Sequence, residues 1–304
     1  MAAAQTLTYA IGEVSPYINW QYFFHAWQFP SGIAADVIGD QSQDTACSCG
    51  CAHPHPPAQV EEGRRLYHDA QSLLQTLDEK QYVTCCRYQI CEANASGDDI
   101  IIYRDNQSQV NFPCLRQQHD ISPDRPNLCI SDFIRPVGQG QRDKLGVFAA
   151  SVDGRIEQLY PDDPYLHMLA ETLGDRLAEA TADLAHQQIR RHYWGYAPDE
   201  HLTVADLHAS RYQGIRPAVG YSSLPDVSLN HILDRIIDFS AIGIRVLESG
   251  MMIPHGSVSG LMISHPRAQY FILGPIGDDQ LADYARRRGL PVEVLRKYLS
   301  QNLA

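Results

Sequence analysis

Three observations predict an α+β fold with a largely antiparallel sheet flanked by helices. Helix-like and strand-like stretches are mixed along the chain without a regular strand–helix–strand rhythm. Several stretches carry β-branched, aromatic and alternating residues, as strands do. A single leucine stripe over 163–192 reads as one long amphipathic helix.

The elements follow in order. Residues 15–30 hold Tyr17, Trp20, Tyr22, Phe23, Phe24, Trp27 and Phe29, an aromatic stripe expected to serve core or interface. Residues 31–60 turn polar and proline-rich, through His53-Pro54-His55-Pro56-Pro57, and read as a surface loop. Leu66, Ala70, Leu73, Leu74 and Leu77 fall on one stripe and predict a helix over 60–79. Strands are predicted at 82–91, 99–104, 127–134 and 144–152. In the long helix Leu166, Leu169, Leu173, Leu177, Ala180 and Leu184 recur at three- and four-residue steps, and Glu179 lies off that stripe, facing solvent or a ligand. After a loop region at 193–226 come a helix at 227–238 and strands near 243–249, 257–264 and 269–275. Two short helices at 277–288 and 291–301 close the chain, with Pro291 suited to a first turn.

The 304 residues suffice for one large core or two small ones, and no long linker or repeat divides them. The balance of 24 basic against 36 acidic residues gives −12, which argues against general affinity for nucleic acid or anionic membrane. Arg286-Arg287-Arg288 is a local exception, best read as complementing the dipole of a helix closed by Gly289. No basic segment followed by an apolar run occupies Met1 to Pro16, and no apolar stretch approaches the ~20 residues of a membrane span. A cytoplasmic location with reduced cysteines is expected.

Cys85, Cys86, Cys91, Cys114 and Cys129 read as core or strand residues. Cys47-Ser48-Cys49-Gly50-Cys51-Ala52-His53-Pro54-His55 gathers soft ligands that zinc or copper accept. Its Cys-x-Cys spacing is not the Cys-x-x-Cys pair of common zinc sites, so a reduced surface loop is the plainer reading.

The stretch Arg216-Pro217-Ala218-Val219-Gly220-Tyr221 carries the most chemistry. Pro217 fixes its own φ and Gly220 admits backbone that a side chain forbids, so the loop can set Arg216 and Tyr221 around one small ligand. A guanidinium suits a carboxylate, and a tyrosine face suits an adenine or a cation. S-adenosylmethionine carries all of these groups. Alone, the hexapeptide is a weak signal, and a proline–glycine turn with a surface arginine is its more common reading. Asp206-Leu207-His208-Ala209-Ser210-Arg211 nearly matches a cobalamin-ligating Asp-x-His-x-x-Gly signature but has arginine where glycine is required, so His208 is expected on the surface. Gly256-Ser257-Val258-Ser259-Gly260 lacks the central serine of a nucleophile elbow, and Gly138-Gln139-Gly140 lacks the rest of a phosphate loop.

Taken in order, several segments resemble the activation domain of cobalamin-dependent methionine synthase. They are Pro16-Tyr17-Ile18, Gly97-Asp98-Asp99-Ile100, Leu115-Arg116-Gln117-Gln118, Tyr193-Trp194-Gly195-Tyr196-Ala197-Pro198, Tyr212-Gln213-Gly214-Ile215 with the Arg216 loop, Ser257-Val258-Ser259-Gly260 through Ser264-His265-Pro266, and Asp283-Tyr284-Ala285-Arg286-Arg287. The resemblance spans 1–304 apart from 31–60, and implies a single C-shaped domain. It implies that Asn19, Glu179, Arg216, Ala218, Gly220, Tyr221, Tyr270 and Phe271 form an S-adenosylmethionine site. Two of these depart from the family pattern. Asn19 stands where an aspartate commonly meets the ligand's amino group, a loss of charge worth about 1 kcal/mol, and Phe271 stands where a second tyrosine is common.

The resemblance further implies a free-standing activation subunit that supports reductive methylation of cob(II)alamin. Cobalamin would then be bound by a separate methionine synthase lacking its own activation domain, and the electron would come from a flavodoxin- or ferredoxin-type donor. Such donors are usually acidic and would need a positive face near Arg190, Arg191 or Arg286–Arg288. The alternatives are an S-adenosylmethionine-responsive regulatory module without methyl transfer and a metal-handling protein built on Cys47–His55.

Overall fold

The computed structural model describes residues 3–39, 55–104, 108–118 and 126–303. Strand β1 (Gln5–Ala10) leads into the short helices α1 (Ile11–Val14), α2 (Trp20–Ala26) and α3 (Ile33–Ile38), and then α4 (Pro57–Glu79). β2 (Val83–Ser96), β3 (Asp99–Tyr103), β4 (Gln109–Pro113) and β5 (Asp143–Val152) precede the longest helix, α5 (Pro164–Gln188). α6 (Val204–His208) and α7 (Asn230–Ile237) follow, then the small hairpin β6 (Arg245–Val246) and β7 (Met252–Ile253), β8 (Ser257–Met262), α8 (Asp278–Arg288) and α9 (Val292–Tyr298).

Six strands form one sheet in the order β4-β3-β2-β5-β8, with β1 also on β2, and every pairing is antiparallel. The fold is therefore the expected α+β arrangement. β2 is long enough to serve two partners on one edge: β1 pairs with its first half and β3 with its last.

β5 lies inside the sheet and is covered on both faces, so its side chains must be apolar at successive positions. Phe148, Ala150 and Val152 enter a core shared with α4 and α5, while Leu145, Val147 and Ala149 enter a second core shared with α7. The helices obey the same logic. Leu66, Ala70, Leu73, Leu74 and Leu77 of α4 are all buried, as are Leu169, Leu173, Leu177, Ala180 and Leu184 of α5. Each fully buried leucine contributes about 2 kcal/mol, so these stripes outweigh the modest helix propensity of the intervening residues. Asp163 caps α5 by accepting from the backbone N–H groups of Tyr165 and Leu166, both at 3.0 Å. A third, smaller core joins α8 and α9 to Leu115, Leu273 and Ile276.

Several local expectations need correction. Residues 127–134 form no strand; Ile130–Phe133 is a 3₁₀ turn whose Ile130 and Phe133 are nevertheless buried. The strand after β3 is instead β4, an edge strand with few apolar residues. The 269–275 segment is irregular, held by a bond from the Leu273 N–H to the Ser222 carbonyl at 3.0 Å. Within the supposed 31–60 loop, α3 and the start of α4 are helical, and Ile33 and Val37 enter the first core. The predicted 163–192 helix ends its last turn as a π-helix, Ile189–Tyr193. Cys86, Cys91, Cys114 and Cys129 are buried as expected, and Cys85 is half-buried. Among the described residues, no helix is long and apolar enough to cross a membrane.

Candidate functional site

α5 builds one wall of a cavity of about 350 Å³. Its apolar stripe faces the core, which leaves Arg176, Glu179 and Asp183, spaced three and four apart, on a neighbouring strip that lines the cavity beside Ala180 at the stripe's edge. The small side chain of Ala180 leaves room between the charged ones.

The opposite wall is the Arg216 loop, which runs antiparallel beside β8. Ile215 and Ile263 exchange two backbone hydrogen bonds, both at 2.9 Å; Leu261 N–H donates to Pro217 O at 3.0 Å and Val219 N–H to Ser259 O at 2.9 Å. Two glycines permit this approach. A Cβ on Gly260 would lie 2.2 Å from Pro217 O, and one on Gly214, whose φ is +83°, would lie 2.0 Å from Ile263 O. The signal Gly-Ile-Arg-Pro thus reports a loop stitched to a strand, not a free surface turn.

Arg216 reaches into the cavity with a side chain only 9 % exposed. Its Nη2 donates to Asp183 Oδ1 at 2.6 Å, and its Nη1 lies 3.9 Å from Glu179 Oε2. Burial works against the charge, but Asp183, with Tyr212 and Glu179, outweighs it and holds the guanidinium protonated more firmly than usual. The Arg216 backbone N–H donates to the Tyr270 hydroxyl at 2.9 Å, and that hydroxyl is also 2.8 Å from the hydroxyl of Tyr212. Burial of its bonded end, then Tyr212, raises the pKa of Tyr270. Tyr221 donates to Glu179 Oε1, and burial followed by the Glu179 charge raises its pKa too. Both phenols therefore stay neutral.

Of the eight expected residues, Asn19, Glu179, Arg216, Ala218, Tyr221 and Tyr270 line this one cavity. Gly220 is not among its lining residues; with φ +89° it turns the chain, its N–H donating to Leu224 O at 2.8 Å. Phe271 is not among them either, because its ring is buried in the second core. The hydroxyl that a tyrosine would add at Phe271 thus has no direct bearing on the cavity.

Residues 10–289 match the family described as "Vitamin B12 dependent methionine synthase, activation domain". The chain belongs to this family. A crystal structure of the MetH reactivation domain bound to AdoHcy is similar in fold, with a TM-score of 0.86 at 32 % identity over 99 % of this chain and 90 % of that one.

In this activation domain Asn19 has a second task. Its Oδ1 accepts from Gln21 N–H at 3.2 Å and caps α2, and its amide –NH₂ can only donate. His208, expected on the surface, lines the cavity and bonds the Tyr17 carbonyl through Nε2 at 2.9 Å. Sequence reasoning also missed the layer behind Tyr212. Arg190 lies 4.3 Å from the centre of the Tyr212 ring and pairs with Glu200 at 2.5 Å, while His186 meets the same ring edge-on at 5.0 Å. Burial, then Arg190 and Arg216, keeps His186 neutral, well below the usual histidine range.

The arginines expected to offer a positive face are largely spent inside the domain. Arg190 is fully buried, Arg287 bonds Asp99 and Asp283, and Arg288 sits 3.4 Å from Asp226 with its side chain 5 % exposed. Of the metal-ligand candidates, Cys47 to Pro54 lie outside the described residues. His55 is described; its Nδ1 is 2.6 Å from Asp36 and its Nε2 3.1 Å from the Ser31 carbonyl, so both ring nitrogens have partners. Among the described residues no group of three or more metal-ligating side chains comes together.

Proposed function

We propose that residues 1–304 act as one activation unit that binds S-adenosylmethionine in the Arg216 cavity and supports methylation of a cobalamin held outside these residues. The observation that carries this reading is the donor set: Arg216, the carboxylates of Glu179 and Asp183 and the neutral phenols of Tyr221 and Tyr270 line a single cavity, in a domain whose solved relative holds AdoHcy. At about 350 Å³ the cavity falls within the ~300–1,000 Å³ usual for small-molecule sites. The ligand's α-carboxylate meets Arg216 Nη1, and its ammonium meets Glu179. Tyr221 and Tyr270 shape the walls without adding charge.

The reactive chemistry belongs to the sulfonium methyl and to the cobalt of the bound cobalamin. The domain's own work is to bind, orient and exclude water; proximity accounts for much of such an acceleration, and no side-chain acid or base is called for. The cobalamin itself is expected on a separate methionine synthase, with the electron supplied by a flavodoxin- or ferredoxin-type donor.

Calorimetry with S-adenosylmethionine tests the site. Wild type is expected to bind, and Arg216→Ala to lose roughly thirtyfold or more, the worth of a buried charge-assisted contact. A wild-type chain that binds neither S-adenosylmethionine nor AdoHcy overturns the reading. Methyl-labelled S-adenosylmethionine, reductant and a cobalamin-loaded synthase lacking this domain then separate activation from mere regulation: label on cobalt marks the former, binding without transfer the latter.

A further inference from the structure

Asp183 is the carboxylate nearest Arg216, and no sequence signal pointed to it. Its Oδ1 takes Nη2 of the guanidinium at 2.6 Å, and its side chain is 17 % exposed. The other nitrogens are placed differently. Nε is buried without a hydrogen-bond partner among the described residues. Nη1 stands 3.9 Å from Glu179 Oε2, an ion-pair distance too long for a hydrogen bond. The guanidinium is thus held by one nitrogen, and the nitrogen beside it is the one left for a ligand oxygen.

Glu179 is itself engaged by the Tyr221 hydroxyl, and it sits four residues before Asp183 on the same strip of α5. Were Asp183 neutral, Glu179 would become the nearest anion to Arg216. A swing of about 1 Å would close 3.9 Å to bonding distance. That contact would cancel, at one stroke, the cation a ligand carboxylate needs and the anion a ligand ammonium needs. The backbone need not move for this, because the Arg216 N–H is fixed separately by Tyr270 and only the guanidinium end of the side chain would have to shift.

We propose that Asp183 is a positioning residue of this cavity: by holding Nη2 it keeps Arg216 off Glu179 and leaves Nη1 for the α-carboxylate of an S-adenosyl amino acid. The proposal rests on the S-adenosylmethionine reading above. It concerns only the amino-acid end of the ligand, and this makes it separable from a general structural role.

The experiment compares wild type, Asp183→Asn and Asp183→Glu by calorimetry with two probes. S-adenosylhomocysteine carries the carboxylate and ammonium; 5′-methylthioadenosine carries neither. Asp183→Asn is expected to weaken S-adenosylhomocysteine about tenfold while leaving 5′-methylthioadenosine within about twofold, and Asp183→Glu to recover most of the loss. Retained binding of 5′-methylthioadenosine also shows that the variant is folded. Unchanged affinity for S-adenosylhomocysteine in Asp183→Asn overturns the proposal, as does an equal loss for both probes. A wild type that binds neither probe overturns the ligand reading itself, which is a different failure.

Discussion

Asn19 shows how much hangs on one atom. Its oxygen caps α2 by accepting from the Gln21 N–H, so toward a ligand it offers at most that oxygen's second, uncharged lone pair beside an –NH₂ that can only donate. An aspartate there would cap equally well and would add a second, negatively charged oxygen where the amide nitrogen stands. Asn19→Asp is therefore expected to leave the thermal midpoint nearly unchanged and to tighten S-adenosylmethionine about three- to tenfold, as a charge-assisted bond replaces a neutral one. Calorimetry beside a thermal scan checks both halves. No gain in affinity would mean that Glu179 already supplies the negative charge the ligand's amino group needs. Arg216, Tyr221 and Tyr270 could be picked out beforehand because their functional groups suit such a ligand and their neighbours matched a family. Asp183, Tyr212 and His186 could not, because their roles arise only when α5 is laid beside the loop and Tyr212 closes over Arg190.

Among the elements, the decisive contact is between the Arg216 loop and β8. Gly260 lies under Pro217 and Ala218, where a Cβ would meet the Pro217 carbonyl oxygen at 2.2 Å. Backbone cannot yield as a flexible side chain does, so Gly260→Ala must push the loop off the strand. It is expected to cost about 2–3 kcal/mol in denaturant stability and to weaken ligand binding by moving Arg216 as well. A variant that keeps both stability and affinity would show that the loop tolerates the shift. The helices α4 and α5 were readable because burial on one face leaves a strict apolar period. The 127–134 segment misled for the same reason. Its Ile130, Phe133 and Ile134 are buried like strand residues, yet the backbone curls into a 3₁₀ turn capped at Cys129, where Asp132 accepts from the Cys129 N–H at 2.8 Å. β4 was invisible for the opposite reason: an edge strand needs few apolar residues, and only Val110 and Phe112 mark it.

On the scale of the whole molecule, net charge sets how partners approach. The chain carries −12, and of the triple arginine only Arg286 projects freely, with a side chain 74 % exposed even while paired to Asp283. Arg287 and Arg288 are turned inward to Asp99, Asp283 and Asp226, where they tie α8 to the rest of the fold. An acidic flavodoxin-type donor would therefore meet no strong attraction there. Two like-charged proteins repel over a distance that salt shortens, to about 10 Å at 0.1 M. Raising the ionic strength from about 20 to about 200 mM should accordingly leave donor-dependent activation unchanged or make it faster, the reverse of an electrostatically steered pair. The rate of donor oxidation by the assembled synthase, followed in stopped flow across that range, measures it. A steep fall with salt would require a basic docking face that these internally paired arginines do not supply, and would turn attention to Arg191 and Arg286 as the cations still able to provide one.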